Sequence, residues 1–410
     1  MHKKQNYIYI GVDTHKHSHT AVIINCWEDI LEEITFEARP SIYPDVLKKV
    51  KKHCKGLTPV FGLEDVKGYG RSLAVYLLEN KQIVKEVNSA LSYAERKSAP
   101  TTQKNDNYDA FCVASVLLRR LDRLPDANPQ DIYWTIGQLV NRRSALVKAM
   151  TSLANQLHEQ LSCHYPSYKK LFAVVDGKTA LEFWEQYPAP YLLDNITPED
   201  LAEFLRKHSH NACSTNKAQK ILDTVKADGD TKRGYQDSRN VIVRSIVRDI
   251  KFKKQEIQAI EKELKEILKV LDYKLESMPG INTVTASSLI AQIGDIHRFT
   301  SPDKLARYAG IAPVKFSSAG KGKEQSSKQG DRTLFGLFYV LAWQHIQTAK
   351  GSGKPRNPVS YAYYQKKLKE GKTKVQALVC LMRVLVVVIY GMMKNKTEYN
   401  PPALPENIAV

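Results

Sequence analysis

Four carboxylates in the first 110 residues have the types and spacing of a metal-dependent phosphoryl-transfer site. Asp13 closes the apolar run Tyr7 to Val12, Glu64 closes Pro59 to Leu63, and Asp106 and Asp109 open the apolar segment Phe111 to Leu121. On a helix Asp106 and Asp109 are three residues apart, so both project from one face. Carboxylates brought together repel unless a divalent cation neutralises them, and oxygen-only ligands favour Mg2+ or Mn2+. Two such ions about 4 Å apart activate one oxygen and stabilise another at a phosphodiester. Singly, each acid reads as a helix cap or a solvated turn. As an ordered set, Asp13, Glu64, Asp106 and Asp109 are expected to meet as metal ligands at the carboxyl edge of a sheet.

A second chemical group lies between Gly310 and Arg332, where Ser317, Ser318, Ser326 and Ser327 are interleaved with Lys315, Lys321, Lys323, Lys328 and Arg332 and with four glycines. Such a composition reads either as a solvated loop between two helices or as a stretch whose hydroxyls and backbone approach a phosphate closely. With Lys104 and Arg356, these basic residues are the candidate nucleic-acid contacts. His15, His17 and His19 alternate after Asp13; a period of two would put them on one strand face that could bind zinc, but a polar hairpin end is the preferred reading, since no cysteine or carboxylate completes the set.

The elements that must position these groups are legible in the periodicity. Strands are expected at Tyr7 to Asp13, Thr20 to Ile24, Ile34 to Phe36, Pro59 to Glu64 and Gln82 to Val87, with helices at Ile42 to Lys52 and after Gly70. The order βββ-α-β-α-β predicts an α/β layer arrangement for residues 1–130. Residues 131–272 carry two heptad-like runs, Ile132 to Leu157 and Val243 to Leu271, predicting long coiled-coil helices that either dimerise or pair within one chain. Between them, about 167–240, lies a helical insert with a capped helix at Thr197-Pro198-Glu199-Asp200.

Residues 273–396 read as a mainly helical domain, followed by a tail at 397–410. Met278-Pro279-Gly280-Ile281 and the helices after it resemble a helix-hairpin-helix or a plain helical hairpin. Tyr361, Tyr363 and Tyr364 beside Lys366, Lys367 and Lys369 suit base stacking or helix packing. Val375 to Met393 is apolar enough to raise the question of a membrane span. Arg383 at its middle, costing about 2.5–3.5 kcal/mol in a bilayer, favours a buried helix.

Composition narrows the class further. The 410 residues carry 61 Lys and Arg against 43 Asp and Glu, a net charge of +18 that points to a polyanionic partner. Six dispersed cysteines without a C-x-x-C pair argue for reduced thiols in the cytoplasm and against a zinc finger. The short N-terminal apolar run is not a signal peptide.

Taken in order, the motifs resemble the DEDD transposases of the insertion-sequence 110 family, the bridge-RNA-guided serine recombinases. The resemblance rests on Gly11-Val12-Asp13-Thr14-His15-Lys16, Gly62-Leu63-Glu64-Asp65 and Lys104 to Ala110. At the other end it rests on Met278-Pro279-Gly280-Ile281, Tyr308-Ala309-Gly310-Ile311-Ala312-Pro313 and Ser327 to Arg332. It implies an N-terminal RuvC-like, RNase-H-fold domain whose acids match Asp13, Glu64, Asp106 and Asp109. It also implies a separate transposase domain with a nucleophilic serine five residues after Pro313, at Ser318. Ala319 stands where the family commonly has glycine, and Ser317 is a rival nucleophile. The function implied is RNA-guided excision and insertion of a mobile element through a phosphoserine–DNA intermediate, by a homodimer or higher oligomer acting on donor and target DNA. The alternatives are a metal-dependent, structure-specific nuclease of the Holliday-junction type and a non-catalytic nucleic-acid-binding protein.

Overall fold

The structure is a computed structural model that describes residues 3–98, 105–129, 131–209, 211–318, 321–325, 329–349 and 351–401, with backbone alone for 314–318 and 321–325. The chain divides into two compact units, Met1–Trp134 and Thr135–Val410.

In the first unit β1 (Tyr7–Thr14), β2 (Ser18–Ile24) and β3 (Ile30–Glu37) are followed by α1 (Tyr43–Cys54), β4 (Thr58–Leu63), α2 (Arg71–Glu79), β5 (Ile83–Glu86), α3 (Ser89–Ser98) and α4 (Asp106–Arg120). The sheet order is β3-β2-β1-β4-β5, antiparallel from β1 through β3 and parallel from β1 through β5. The two-residue side-chain period sorts β1 onto two cores. Ile8, Ile10 and Val12 pack with Tyr43, Val46, Leu47, Leu73 and Leu77 of α1 and α2. Tyr9 packs on the other face with Ala110, Val113, Ala114 and Leu117 of α4. The third strand is longer than the sequence suggests because β3 is an edge strand, where Ile30, Leu31 and Glu33 remain exposed and give no burial signal.

The polar hairpin end expected for the histidines is realised at His15 and His17, and the zinc-binding strand face is not. His15 and His17 lie in the turn between β1 and β2, and only His19 is in a strand, buried against Phe36 and Tyr43. The three therefore share no strand face, because β1 ends at Thr14 and the chain reverses before His19.

The second unit contains α5 (Asp131–His164, which begins in the first), α6 (Tyr168–Leu171), α7 (Lys178–Gln186), α8 (Pro198–His208), α9 (Thr215–Asp228) and α10 (Gln236–Leu271). Arg143 on α5 pairs with Glu261 on α10 at 2.6 Å, while Leu157 and Leu161 share a core with Val243, Val247 and Ile250. The two long helices thus run antiparallel within one chain over these residues. Trp184 and Phe183 anchor the insert, whose α8 starts with a reciprocal Thr197–Asp200 capping box.

Then come α11 (Thr283–Ile293), α12 (Pro302–Tyr308), the antiparallel hairpin β6 (Val314–Ser318) and β7 (Lys321–Gln325), α13 (Arg332–Ile346), α14 (Pro358–Lys369) and α15 (Lys374–Asn395). Among the described residues α15 alone is long and apolar enough to cross a membrane, and half of its apolar window is buried. It packs its Leu378, Leu381, Leu385 and Ile389 inside the unit, and Arg383 pairs with Asp303. Tyr364 is also buried, so for that tyrosine helix packing is the realised role.

The tightest approach in the first unit is at Gly11, where a Cβ would lie 2.1 Å from the Ala110 carbonyl oxygen and 2.3 Å from the Ala114 nitrogen. Both are helix backbone atoms that cannot turn aside. Gly11→Ala should cost about 3 kcal/mol or more by forcing β1 and α4 apart. Gly137→Ala, in α5 with open space around it, should be neutral or gain about 0.5–1 kcal/mol. Chemical denaturation followed by circular dichroism distinguishes them; equal midpoints for Gly11→Ala and the parent chain would refute the packing account.

Candidate active site

Strand register brings the first two acids together. Parallel pairing of β1 with β4 sets Gly11 opposite Gly62 and Val12 opposite Leu63, so Asp13 and Glu64 follow at the same level where the strands end. The close contact at Gly11 then seats the first turn of α4 against that edge. Asn105 caps α4 by accepting from the Tyr108 amide at 2.7 Å, which holds Asp106 and Asp109 in the first turn, where the helix dipole favours negative charge.

A cleft of about 420 Å³ is lined by Asp13, Glu64 and Asp109 together with Ser89, Ala90, Ser92, Tyr93 and Arg96. Asp106 is at its outer rim, 60% exposed, where His15 Nε2 lies 3.5 Å from its Oδ1 and 3.1 Å from Asp13 Oδ2. Burial pushes the Asp13 carboxyl above the usual range, and nearby Asp109 and Asp106 push it the same way against His15. Burial also raises Glu64, reinforced by Asp13 and Asp109 and opposed by the Ser92 hydrogen bond and by Arg96. All four expected acids are therefore brought to one edge, and this donor set of carboxylate oxygens with one imidazole nitrogen fits a divalent cation.

The neighbouring Asp65 is not available to the site. Its carboxylate accepts from the amides of Lys67 at 3.1 Å, Gly68 at 2.6 Å and Tyr69 at 2.9 Å, folding the turn that follows Glu64. The sequence reading missed three cleft residues, Ser92, Tyr93 and Arg96 of α3, and did not join His15 to the acids. Ser92 donates to Glu64, and Arg96 Nη1 donates to Asp109 Oδ1 at 2.7 Å. Helical spacing of Ser92 and Arg96, four residues apart, was the available signal, but nothing in it says that α3 faces the acids.

In the second unit the expected loop is in part the β6–β7 hairpin, with Ser317 opposite Gly322 and Ser318 opposite Lys321. Gly310 and Gly330, both at positive φ, pinch the ends of this excursion together. A Cβ on Gly310 would sit 2.5 Å from the Gln329 carbonyl oxygen, and the Asp331 amide donates to Tyr308 O at 2.8 Å. Asp331 caps α13, so Arg332 opens that helix, exposed and with its guanidinium over the Phe335 ring. Arg356 is likewise exposed. Lys104 and Lys328 lie outside the described residues, as do the side chains of Ser317, Ser318, Lys315, Lys321 and Lys323.

Two family models match the chain. Residues 10–166 match the DEDD transposase model of the IS110 group, and residues 272–365 match a model described as Transposase IS116/IS110/IS902 family. The chain is 26% identical over 301 residues to an uncharacterized 44.8 kDa protein of insertion element IS116 from Streptomyces clavuligerus, covering 73% of each chain. It is 25% identical over 308 residues to a 43.6 kDa protein of IS110 from Streptomyces coelicolor, again covering 73% of each. A pilin gene-inverting protein of Moraxella lacunata is 26% identical over 178 residues, 41% of this chain and 53% of that one. With both family models matched in order along the chain, it belongs to the IS110 family of DEDD transposases.

Proposed function

We propose that this transposase excises and inserts a mobile element by RNA-guided, site-specific recombination, with Ser318 as nucleophile. The observation that carries the reading is the convergence of Asp13, Glu64, Asp106 and Asp109, from two parallel strand ends and one helix start, on a chain that also holds the serine-bearing hairpin. The sheet order supports a RuvC-like, RNase-H-type fold for residues 1–130. We assign residues 131–272 to a helical spacer with its insert at about 167–240, and 273–396 to the transposase domain.

In this mechanism Asp13, Glu64, Asp106 and Asp109 hold Mg2+ or Mn2+. When bound, the ion supplies Lewis-acid polarisation of a phosphoryl oxygen. The Ser318 oxygen attacks phosphorus in line as its proton departs. The bond to one bridging ester oxygen breaks, and that oxygen takes up a proton as a free DNA hydroxyl. A hydroxyl of another strand then attacks the phosphoserine and releases the serine, so no high-energy cofactor is consumed. Lys104, Lys315, Lys321, Lys323, Lys328, Arg332 and Arg356 grip phosphates of donor and target DNA or of the guide RNA. Base pairing by that RNA supplies sequence choice, and the +18 charge suits a protein that binds several nucleic-acid strands. The acids and the serine belong to different units, so both must be brought to one phosphodiester, from one chain or from two copies in an oligomer. The similarity to a pilin gene-inverting protein supports rearrangement of DNA segments over simple cleavage.

Trapping tests the nucleophile. Protein incubated with guide RNA, cognate DNA and Mg2+ should yield a covalent adduct stable to denaturant, present in Ser317→Ala and absent in Ser318→Ala and Asp13→Asn. Cleavage without an adduct identifies a water-using nuclease and refutes the serine step.

Stability tests the metal ligands. Asp13 and Glu64 carry raised folded-state values, so the native state holds their protons more tightly than the unfolded chain does. Stability is then lost as pH rises from the ordinary carboxylate range through the raised values. Asp13→Asn and Glu64→Gln in metal-free buffer at pH 7 should therefore raise the melting temperature by roughly 2–4 °C. Added Mg2+ should stabilise the parent chain and not the variants. Equal response to Mg2+ in all three would sink the assignment.

A further inference from the structure

Asp13 belongs to two donor sets at once. Inside the cleft it stands with Glu64 and Asp109, an all-oxygen set beside Arg96. At the rim it stands with His15 and Asp106, and one ligand atom from each of these three lies within 4.8 Å of the others. The imidazole is the odd member, and its geometry is specific. His15 Nε2 is 3.1 Å from Asp13 Oδ2 and 3.5 Å from Asp106 Oδ1. Ligand atoms about 2.1 Å from a shared ion lie about 3.0 Å apart in an octahedron and about 3.4 Å apart in a tetrahedron. Both distances from the imidazole nitrogen are close to the edge lengths of a coordination polyhedron.

We propose that His15 is a metal ligand, donating Nε2 to a cation held at the rim with Asp13 and Asp106, and that the two cation positions of this transposase therefore differ in kind. The inference rests on the metal-dependent reading above and extends it. The inner position, with carboxylate oxygens only, suits a hard ion such as Mg2+. The rim position, with mixed nitrogen and oxygen donors, prefers Mn2+ or another first-row ion over Mg2+. His15 follows the end of β1 in the β1–β2 turn, half exposed, so the rim is open to solvent, whereas the inner carboxyl groups are walled by α3. The competing account of the same contacts is an imidazolium ion-paired with two carboxylates and no metal role.

The probe is Mn2+ titrated into the full-length chain, with bound ion counted by electron paramagnetic resonance and its ligands read by electron spin-echo modulation. The parent chain should show bound Mn2+ with imidazole nitrogen modulation. His15→Gln, altered in a half-exposed turn, should keep its circular dichroism spectrum and Asp13-dependent Mn2+ binding. It should lose the nitrogen modulation and bind rim Mn2+ about tenfold more weakly. Its Mg2+ affinity by calorimetry should move less. Bound Mn2+ without nitrogen modulation in the parent chain, or modulation that persists in His15→Gln, overturns the His15 assignment and leaves the acid site standing. Mn2+ binding unchanged in Asp13→Asn instead brings down the metal site itself.

Discussion

The first unit depends on one contact without side chains: strand β1 lies directly on the backbone of α4 at Gly11. Asp13 is two residues beyond that contact on the strand, and Asp109 immediately precedes Ala110 on the helix, so the separation of the two backbones sets the separation of the two acids. Register does the same job for Glu64, since parallel pairing with β4 aligns Gly11 with Gly62. A larger residue at position 11 would move both an acid and the helix carrying two more. The site is thus built on rigid elements, which hold functional groups more precisely than loops do.

Gathering acids at a half-buried edge is unfavourable in itself, and the neighbouring side chains show how the chain tolerates it. Ser92 donates to Glu64, Arg96 to Asp109, and His15 faces Asp13 and Asp106, so each acid has a donor or cationic neighbour. Asp13 and Glu64 nonetheless keep raised values, which means that these partners offset the burial and repulsion only in part. The residual cost is what a bound cation would relieve, and it is the kind of stored unfavourable energy expected where stability and function compete.

Much of this was legible in the sequence, for identifiable reasons. Apolar runs ending in Asp13 and Glu64, and Asn105 ahead of Asp106 and Asp109, fix local structure that tertiary packing does not overrule. The order of strands and helices along the chain followed from the same runs, whereas their order in the sheet came only with the structure. The contribution of α3 was not legible, because Ser92, Tyr93 and Arg96 sit on a half-exposed helix with no strong apolar stripe, and their direction is set by its packing on α4. The hairpin end at His15 and His17 was legible, but the nearness of His15 to Asp106 was not, because that acid comes from a helix remote in sequence. The β6–β7 hairpin was read as a loop, since Ser, Gly and Lys give no alternation of apolar residues to mark a strand.

The same reasoning explains the construction of the serine-bearing stretch. The serine nucleophile proposed above would be poorly served by a loose loop, because each unfixed residue costs about 1–2 kcal/mol of backbone entropy when it is ordered for reaction. Here the excursion is closed at its neck, where the backbones of Gly310 and Gly330 meet too closely for any side chain, and it is stiffened within by paired strands. Its base is continuous with α12 on one side and with the Asp331-capped α13 on the other, both helices of the α15-centred core. The glycines that made the composition look like solvated linker therefore have the opposite consequence at Gly310 and Gly330. They permit the close approach that ties the ends of the stretch to α12 and α13, leaving fewer backbone degrees of freedom at its neck.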